Sequence, residues 1–367
     1  MSASRAASRR AGAGALGQLL FIGLEENRWS AALERRLRAW QPAGVFLTTR
    51  NIRSPGSTAE LLARIARALE TPPFLALEEE GGMADPLRKF FPPLPSPRIA
   101  ARRGPSAVAR LGELIGAAIR LLGFNTNLAP VLDLSHASAD AHTGARSFST
   151  DADQVERCAS AFVRGLERHR VLACGKHFPG LSVATLDRHS GLLVVGKPMA
   201  AMWRADLVPY RRLLSRLPLV MVSHAAYKAY DFDLLRPATV SVNVLEGLLR
   251  VKLGYAGVAV SADLVSEPLR RTLEPERAAV EAVNAGCDLL LVGREEAAEG
   301  ILTSLGKSLE AGSLSAQRVV QALGRLRLAK RGLAPPSGKL SKLALEKLAG
   351  RLEDFAKQCG TREQKIA

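Results

Sequence analysis

The amino-acid sequence predicts a (β/α)8 barrel, also called a TIM barrel, of the α/β class. Eight short apolar segments bounded by turn residues alternate with eight amphipathic segments, over roughly 300 residues of the 367-residue chain. This count is typical of a closed parallel barrel. An open doubly wound sheet usually has a glycine-rich phosphate turn after its first strand, and the segment 22–26, Ile-Gly-Leu-Glu-Glu, does not have that pattern.

The predicted strands are short and apolar, and the predicted helices have apolar residues at a helical spacing. The strands are expected at 18–24, 44–48, 74–77, 126–131, 171–175, 219–223, 257–261 and 288–292. The helices are expected at 29–40, 57–69, 106–122, 151–169, 198–214, 242–252, 274–285 and 295–310.

The barrel is expected to span residues 16–331, between two segments of different composition. Residues 1–15 are basic and expected to be disordered, and residues 332–367 form a Pro-Pro-Ser-Gly linker with a lysine-rich helix and tail. The apolar run after the basic segment is short and interrupted by Gln18, which favours a first strand over a signal peptide and hence a cytoplasmic protein. No apolar run approaches the ~20 residues of a membrane span.

The composition limits the kinds of partner. A formal net charge of +16 suits an anionic partner, but the arginines are spread over many predicted helix faces. Aromatic residues make up only 5% of the chain, which argues against a nucleic-acid partner because base-stacking platforms are scarce. The four cysteines have no C-x-x-C spacing, and no phosphate loop or metal-ligand spacing is present, so no metal or cofactor is expected.

Polar side chains follow the predicted strands at their carboxyl ends, where (β/α)8 barrels have their active sites. The richest segment is 174–189, where two histidines, a lysine and an aspartate lie within fourteen residues. A core histidine beside a solvated loop is the plain alternative, and this density of polar groups favours a site. We term the carboxyl ends of the strands and the loops that follow them the rim of the barrel. The candidate residues of this rim are Glu78, Arg146, Lys176, His177, His224 and Asp263. Carboxylates together with hydrogen-bond donors suit a polyhydroxylated ligand such as a sugar.

The motif Lys176-His-Phe-Pro-Gly180, followed by Asp187-x-His189, resembles the signature of glycoside hydrolase family 3. Further stretches agree in order and spacing: Glu80-Gly-Gly82, Asn127-Leu-Ala-Pro-Val-Leu-Asp133, Gly144-x-Arg-Ser-Phe148 and the segment 253–264. The resemblance covers about residues 16–330 and is strongest to bacterial β-N-acetylglucosaminidases of peptidoglycan recycling. It implies a one-domain barrel that binds an N-acetylglucosamine-containing glycan or a muropeptide-like ligand.

The resemblance also implies roles for individual residues. Hydrolysis in this family is retaining, with a carboxylate nucleophile and a proton donor. His189 matches the acid/base, and Asp187 matches the carboxylate that orients and charges it. Lys176, His177 and Arg146 match positions that hydrogen-bond the sugar.

Several positions depart from the family pattern. The nucleophilic aspartate is replaced by Ala262, and the neighbouring Asp263 is expected to face the other way because successive strand side chains alternate. Glu78 replaces the sugar-binding aspartate of the family, and Pro86 replaces a sugar-binding arginine. Leu181-Ser182 replaces the His-Gly of the catalytic loop.

Two interpretations follow from these departures. The favoured one is an inactive or weakened relative that keeps a sugar-binding pocket, because a lost carboxylate nucleophile is hard to replace. The alternative is an active β-N-acetylhexosaminidase that uses Asp263, or the N-acetyl group of the substrate, as its nucleophile. The retained polar residues could also persist simply as a buried hydrogen-bond network.

Overall fold

The computed structural model of the protein describes residues 15–135, 144–181, 184–187, 191–336 and 340–360. The predicted disordered N-terminal segment lies outside these residues, apart from Ala15. Among the helices of the described ranges, none is both long and apolar enough to cross a membrane.

Eight parallel strands form one barrel-shaped sheet, and three further strands form a small second sheet. The strands are β1 (Leu20–Gly23), β2 (Gly44–Phe46), β3 (Phe74–Leu77), β4 (Thr126–Asn127), β5 (Leu172–Phe178), β6 (Ala184–Leu186), β7 (Leu193–Val195), β8 (Leu219–Val222), β9 (Ala226–Tyr227), β10 (Val258–Ser261) and β11 (Leu290–Val292).

The order of the large sheet is β10-β8-β5-β4-β3-β2-β1-β11. A parallel bridge between Val260 and Leu289 joins its two end strands, so that the sheet closes into a barrel. Most barrel strands, such as β3 and β8, are continuous apolar runs because both of their faces are buried, one inside the barrel and one under the helices. Strand β4 is Thr-Asn, and β5 ends in Lys-His-Phe. The predicted (β/α)8 fold is confirmed.

The helices surround the barrel. They are α1 (Ala31–Trp40), α2 (Pro55–Ala68), α3 (Pro97–Arg102), α4 (Pro105–Leu122), α5 (Ala152–Glu167), α6 (Met199–Arg204), α7 (Val208–Leu213), the π-wound α8 (Asn243–Lys252), α9 (Glu267–Arg270), α10 (Pro275–Ala285), α11 (Ala298–Glu310), α12 (Ala316–Lys330) and α13 (Lys342–Cys359). Side chains such as Ser30, Ser54 and Asp151 cap helix N-termini by accepting a backbone N–H.

Two predicted elements differ from the structure for local reasons. The helix expected at 198–214 is divided into α6 and α7, and Pro209, which has no N–H to donate, occupies the first turn of α7. The strand expected at 126–131 is only two residues long. Pro130 interrupts its ladder, and Val131 makes a single bridge to Lys176.

The second sheet was not predicted. Strands β6 and β7 form an antiparallel hairpin that follows β5, and β7 pairs in parallel with β9, which follows β8. Leu192, Val194 and Ala226 form its small apolar core. This sheet therefore ties the loop after β5 to the loop after β8.

The lysine-rich C-terminal segment contains α13, which lies against the outside of the barrel. Leu348, Leu352 and Phe355 are buried, and Arg351 contacts Glu113 of α4 at 2.9 Å. The charged side chains of this helix face outward, and its apolar stripe covers α4.

Candidate active site

The predicted site residues lie at the carboxyl ends of the barrel strands. Glu78 directly follows β3, Lys176 and His177 lie in β5, His224 comes shortly after β8, and Ala262 directly follows β10. The register of β5 against β8 shifts between Lys176 and Phe178, so that β5 is irregular at His177. Such irregularities re-aim side chains and are common beside active sites.

Four charged side chains form what we term the ion cluster: Glu78, Glu80, Arg146 and Lys176. Arg146 donates through Nε and Nη2 to the two carboxylate oxygens of Glu80, both at 2.8 Å, and Nη2 also reaches Glu78 at 2.7 Å. The Lys176 ammonium lies 2.6 Å from Glu80 and 3.3 Å from Glu78. The structure therefore brings together three predicted residues from three different parts of the chain.

The charges of the ion cluster sum to zero, and two of its four side chains, Lys176 and Glu80, are buried. The Lys176 side chain has no exposed surface, and Glu80 is 2% exposed. Burial alone would raise the pKa of Glu80, but attraction to Lys176 and hydrogen bonds from Arg146 outweigh it and lower this pKa to about 2. Glu80 is therefore ionised at neutral pH, and it holds the lysine ammonium in place.

His177 is oriented by Asp133, a fully buried carboxylate that follows β4. The Nδ1 atom of His177 lies 2.8 Å from Asp133 Oδ2. The other carboxylate oxygen accepts the backbone N–H groups of His177 and Leu181, at 3.3 and 2.9 Å. Because an ionised carboxylate only accepts, the proton of the imidazole is assigned to Nδ1. The ring is thereby fixed, and the start of the following loop is fixed with it.

The predicted acid/base dyad lies only partly in the described residues. Asp187 follows β6, where its N–H donates to Leu192 O and its carbonyl accepts from Gly191 N, both at 2.8 Å. These bonds join the end of β6 to the residues that precede β7. His189 lies outside the described residues, as does Ser182. The dyad therefore remains a prediction.

At the end of β10, the Asp263 carboxylate contacts the loop that follows β11. Its Oδ1 atom accepts the N–H of Gly293 at 2.7 Å and that of Val265 at 3.1 Å. A side chain at position 293 would meet Asp263 Oδ2 at 2.2 Å, so the carboxylate lies directly against the Gly293 backbone. Burial raises the pKa of Asp263, and the two N–H groups partly offset this effect.

His224 lies next to Asp263 and uses both of its ring nitrogens within the protein. Nε2 is 2.9 Å from the backbone carbonyl of Asp263, and Nδ1 is 2.8 Å from the hydroxyl of Thr239. Burial lowers the pKa of His224 to about 4, so the ring is neutral at pH 7. We therefore assign the proton to Nε2, which donates to the carbonyl of Asp263, while Nδ1 faces the Thr239 hydroxyl.

Three residues of this region were not among the predicted site residues: Glu80, Asp133 and Thr239. Glu80 and Asp133 stand in the stretches Glu78-Glu-Glu-Gly-Gly82 and 127–133, and an unpaired lysine at a buried strand end is a signal that a carboxylate must lie nearby. Thr239 lies in an unremarkable stretch, and its contact with His224 becomes visible only in the structure. In the parts of the chain that are described, no group of three or more His, Cys, Asp or Glu side chains could hold a metal ion.

The fold and this rim define the class of protein: a (β/α)8 barrel with a charged, hydrogen-bonding site at the carboxyl ends of its strands. A sequence profile described as "Glycosyl hydrolase family 3 N terminal domain" matches residues 14–328. The chain belongs to glycoside hydrolase family 3.

Similar proteins in bacteria carry the name beta-hexosaminidase. One from Pseudomonas aeruginosa is 34% identical over 273 residues, which cover 73% of this chain and 80% of that protein. One from Alkalilimnicola ehrlichii is 35% identical over 296 residues, covering 78% and 84%.

Solved structures share the fold. A glycoside hydrolase family 3 beta-N-acetylglucosaminidase from a Paenibacillus species has a TM-score of 0.84 and 29% identity, covering 94% of this chain and 68% of that one. A family 3 glycosyl hydrolase from Mycobacterium smegmatis has a TM-score of 0.79 and 30% identity, covering 88% and 98%.

Proposed function

We propose that this protein is a β-N-acetylglucosaminidase-type member of family 3 that binds an N-acetylglucosamine-containing glycan or muropeptide-like ligand, with hydrolysis impaired or lost. The observation that carries this proposal is a contrast between two parts of one rim. The four charged groups of the ion cluster are in contact, whereas the Asp263 carboxylate is bound to loop backbone next to Ala262, where the family resemblance leads us to expect the nucleophile.

Sugar binding is supported by the outer side of the ion cluster. The Glu78 side chain is 36% exposed and that of Arg146 26%, while Lys176 and Glu80 are buried behind them. The outer pair keeps acceptor and donor capacity toward solvent, and its geometry is fixed by the inner pair. Such a fixed pair of charged groups suits neighbouring hydroxyls of a sugar ring.

Impaired hydrolysis is supported by the surroundings of Asp263. A nucleophile must present an oxygen to the anomeric carbon, and an alanine methyl has no such atom. For Asp263 to take this role, its carboxylate would have to give up the N–H groups of Gly293 and Val265 and turn away from β11. That rearrangement would leave two backbone donors without their acceptor, at a cost of about 1–3 kcal/mol for each one that stays buried.

We further propose that the protein acts in amino-sugar or peptidoglycan recycling in the cytoplasm. The names of its relatives support the substrate class. All four cysteines, Cys158, Cys174, Cys287 and Cys359, are buried free thiols, as is usual for proteins of a reducing compartment.

The catalytic part of the proposal is tested with the chromogenic substrate 4-nitrophenyl N-acetyl-β-glucosaminide. The parent protein is expected to release no 4-nitrophenol above background, and Ala262→Asp is expected to raise the rate by roughly 10³-fold or more. Ala262→Asn is the matched control, with nearly the same volume and no nucleophilic carboxylate. Turnover by the parent protein that disappears in Asp263→Asn would instead identify an active enzyme that uses Asp263.

The binding part is tested by titrating N-acetylglucosamine and following chemical shifts or heat. The parent protein is expected to bind the sugar, and Arg146→Gln is expected to lose this binding. Binding that is absent in the parent, or unchanged in Arg146→Gln, would contradict a sugar site at the ion cluster.

A further inference from the structure

A cavity lies next to the ion cluster and shares Glu78 with it. It is open to solvent and has a volume of about 420 Å³. The loop after β2 and the loop after β3 form its walls, and its polar lining comes from Thr48, Thr49, Glu78, Asp85, Arg88 and Lys89. This volume is large enough for a substituent of a few heavy atoms on a bound sugar.

The cavity has a surplus of positive charge. Arg88 and Lys89 are exposed, and neither has a carboxylate within ion-pair distance among the described residues. Glu78 is already paired with Arg146 and Lys176. The two lining cations therefore outnumber the single remaining carboxylate, that of Asp85.

Asp85 is committed to the interior of its own loop. It is 6% exposed, and its Oδ2 atom accepts the N–H of Leu94 at 3.2 Å. It also lies beside Glu79, whose pKa is raised well above its ordinary value by burial and by the nearby Asp85 charge. Asp85 is therefore buried in its own loop and is not paired with Arg88 or Lys89.

The cavity is continuous with the candidate sugar site because Glu78 belongs to both. A sugar bound at Glu78 would therefore lie next to a cavity that Arg88 and Lys89 also line. The family resemblance places a sugar-binding arginine at position 86, where this chain has proline. Arg88, two residues further on, supplies a guanidinium on the cavity side instead.

We propose that this cavity receives an anionic substituent, a phosphate monoester or a carboxylate, of the amino sugar bound at the ion cluster. The proposal rests on the proposed sugar binding. Arg88 and Lys89 supply the positive charge, and the hydroxyl of Thr49 supplies a further hydrogen bond on the opposite wall, whereas that of Thr48 already donates to Asn51 Oδ1. An anionic substituent would give both cations the ionic partner that neither has among the described residues.

The test is isothermal titration calorimetry with four compounds: N-acetylglucosamine, N-acetylglucosamine 6-phosphate, N-acetylmuramic acid and inorganic phosphate. At about 0.02 M salt, at least one anionic sugar is expected to bind about tenfold more tightly than N-acetylglucosamine. This advantage is expected to fall several-fold at about 0.5 M salt, because exposed charges are screened. The phosphorylated and the carboxylated sugar distinguish the two kinds of anion.

The double variant Arg88→Gln, Lys89→Gln should bring the affinity for the anionic sugar down to that for N-acetylglucosamine, which should itself bind as in the parent protein. Arg327→Gln, which removes an exposed arginine of α12, is the matched control and should change neither affinity. Anionic sugars that bind no more tightly than N-acetylglucosamine, or an advantage that survives in the double variant, would overturn the inference alone. Failure of N-acetylglucosamine to bind the parent protein would instead overturn the proposed sugar site.

Discussion

Glu80→Gln is expected to destabilise the protein strongly, although it removes no atom from the core. The substitution deletes the charge that faces Lys176 and Arg146 at 2.6 and 2.8 Å. Two cations would then share only Glu78, and Lys176, which has no exposed surface, would have lost its closer partner. Removing one member of a buried ion pair typically costs about 3–5 kcal/mol.

The lowered pKa of Glu80 points to a loss of stability of similar size. A folded-state pKa of about 2, against an ordinary value of 4.5, corresponds to about 3 kcal/mol at roughly 1.4 kcal/mol per pKa unit. Because the folded-state pKa is depressed, this contribution is fully present above about pH 4.5. It is lost as the pH falls from about 4.5 to about 2.

The measurement is the free energy of unfolding in urea, for the parent protein and the variant, between pH 7 and the lowest pH at which both fold. The difference between the two proteins should be about 3–5 kcal/mol at pH 7 and should shrink below pH 4.5. Glu267→Gln is the control, since it removes one partner of the exposed pair with Arg271 and should change stability by less than about 1 kcal/mol. A Glu80→Gln protein as stable as the control, with the acid dependence of the parent, would refute the reasoning.

Three further predictions concern other parts of the barrel. His224 should stay neutral in the folded protein until the pH falls to about 4, so that stability decreases as the pH drops from about 6.5 to 4. The NMR shifts of the imidazole report its protonation directly, and a titration of this ring near pH 6.5 would contradict the prediction. Asp288→Asn should lower the unfolding free energy by about 3–5 kcal/mol, because the Asp288 carboxylate forms ion pairs with Arg250, Arg318 and Arg325. Urea unfolding is the measurement, and a loss below about 1 kcal/mol would show that these arginines find other hydrogen-bond acceptors. Gly293→Ala should lower the thermal midpoint, because the new methyl group would overlap the Asp263 carboxylate, and an unchanged midpoint would indicate that this carboxylate moves easily.

The barrel could be predicted because the sequence patterns of its strands and helices each lie within one short segment of the chain. Most strands, such as β3, are short apolar runs, and helices such as α4 show their own period, so that neither requires knowledge of distant residues. The rim positions Glu78, Lys176 and His224 followed from the same reasoning, since functional residues lie at strand ends in this fold.

The contacts within the site could not be predicted in the same way. Glu80 pairs with Lys176, and Asp133 with His177, across strands that are far apart in the chain. The sequence shows which residues are charged, but which carboxylate faces which cation depends on how the strands are arranged in the barrel. The division of the predicted helix at 198–214 is a smaller case, in which Pro209 was visible but its position in a first turn was not.

The net charge of the ion cluster differs from that of the whole molecule. Two carboxylates and two cations sum to zero, although the chain as a whole carries a formal charge of +16. An uncharged sugar that meets the ion cluster alone would therefore bind almost independently of ionic strength, whereas an anion drawn to the basic surface would not. The salt dependence of binding would thus report which of these two regions a given ligand occupies.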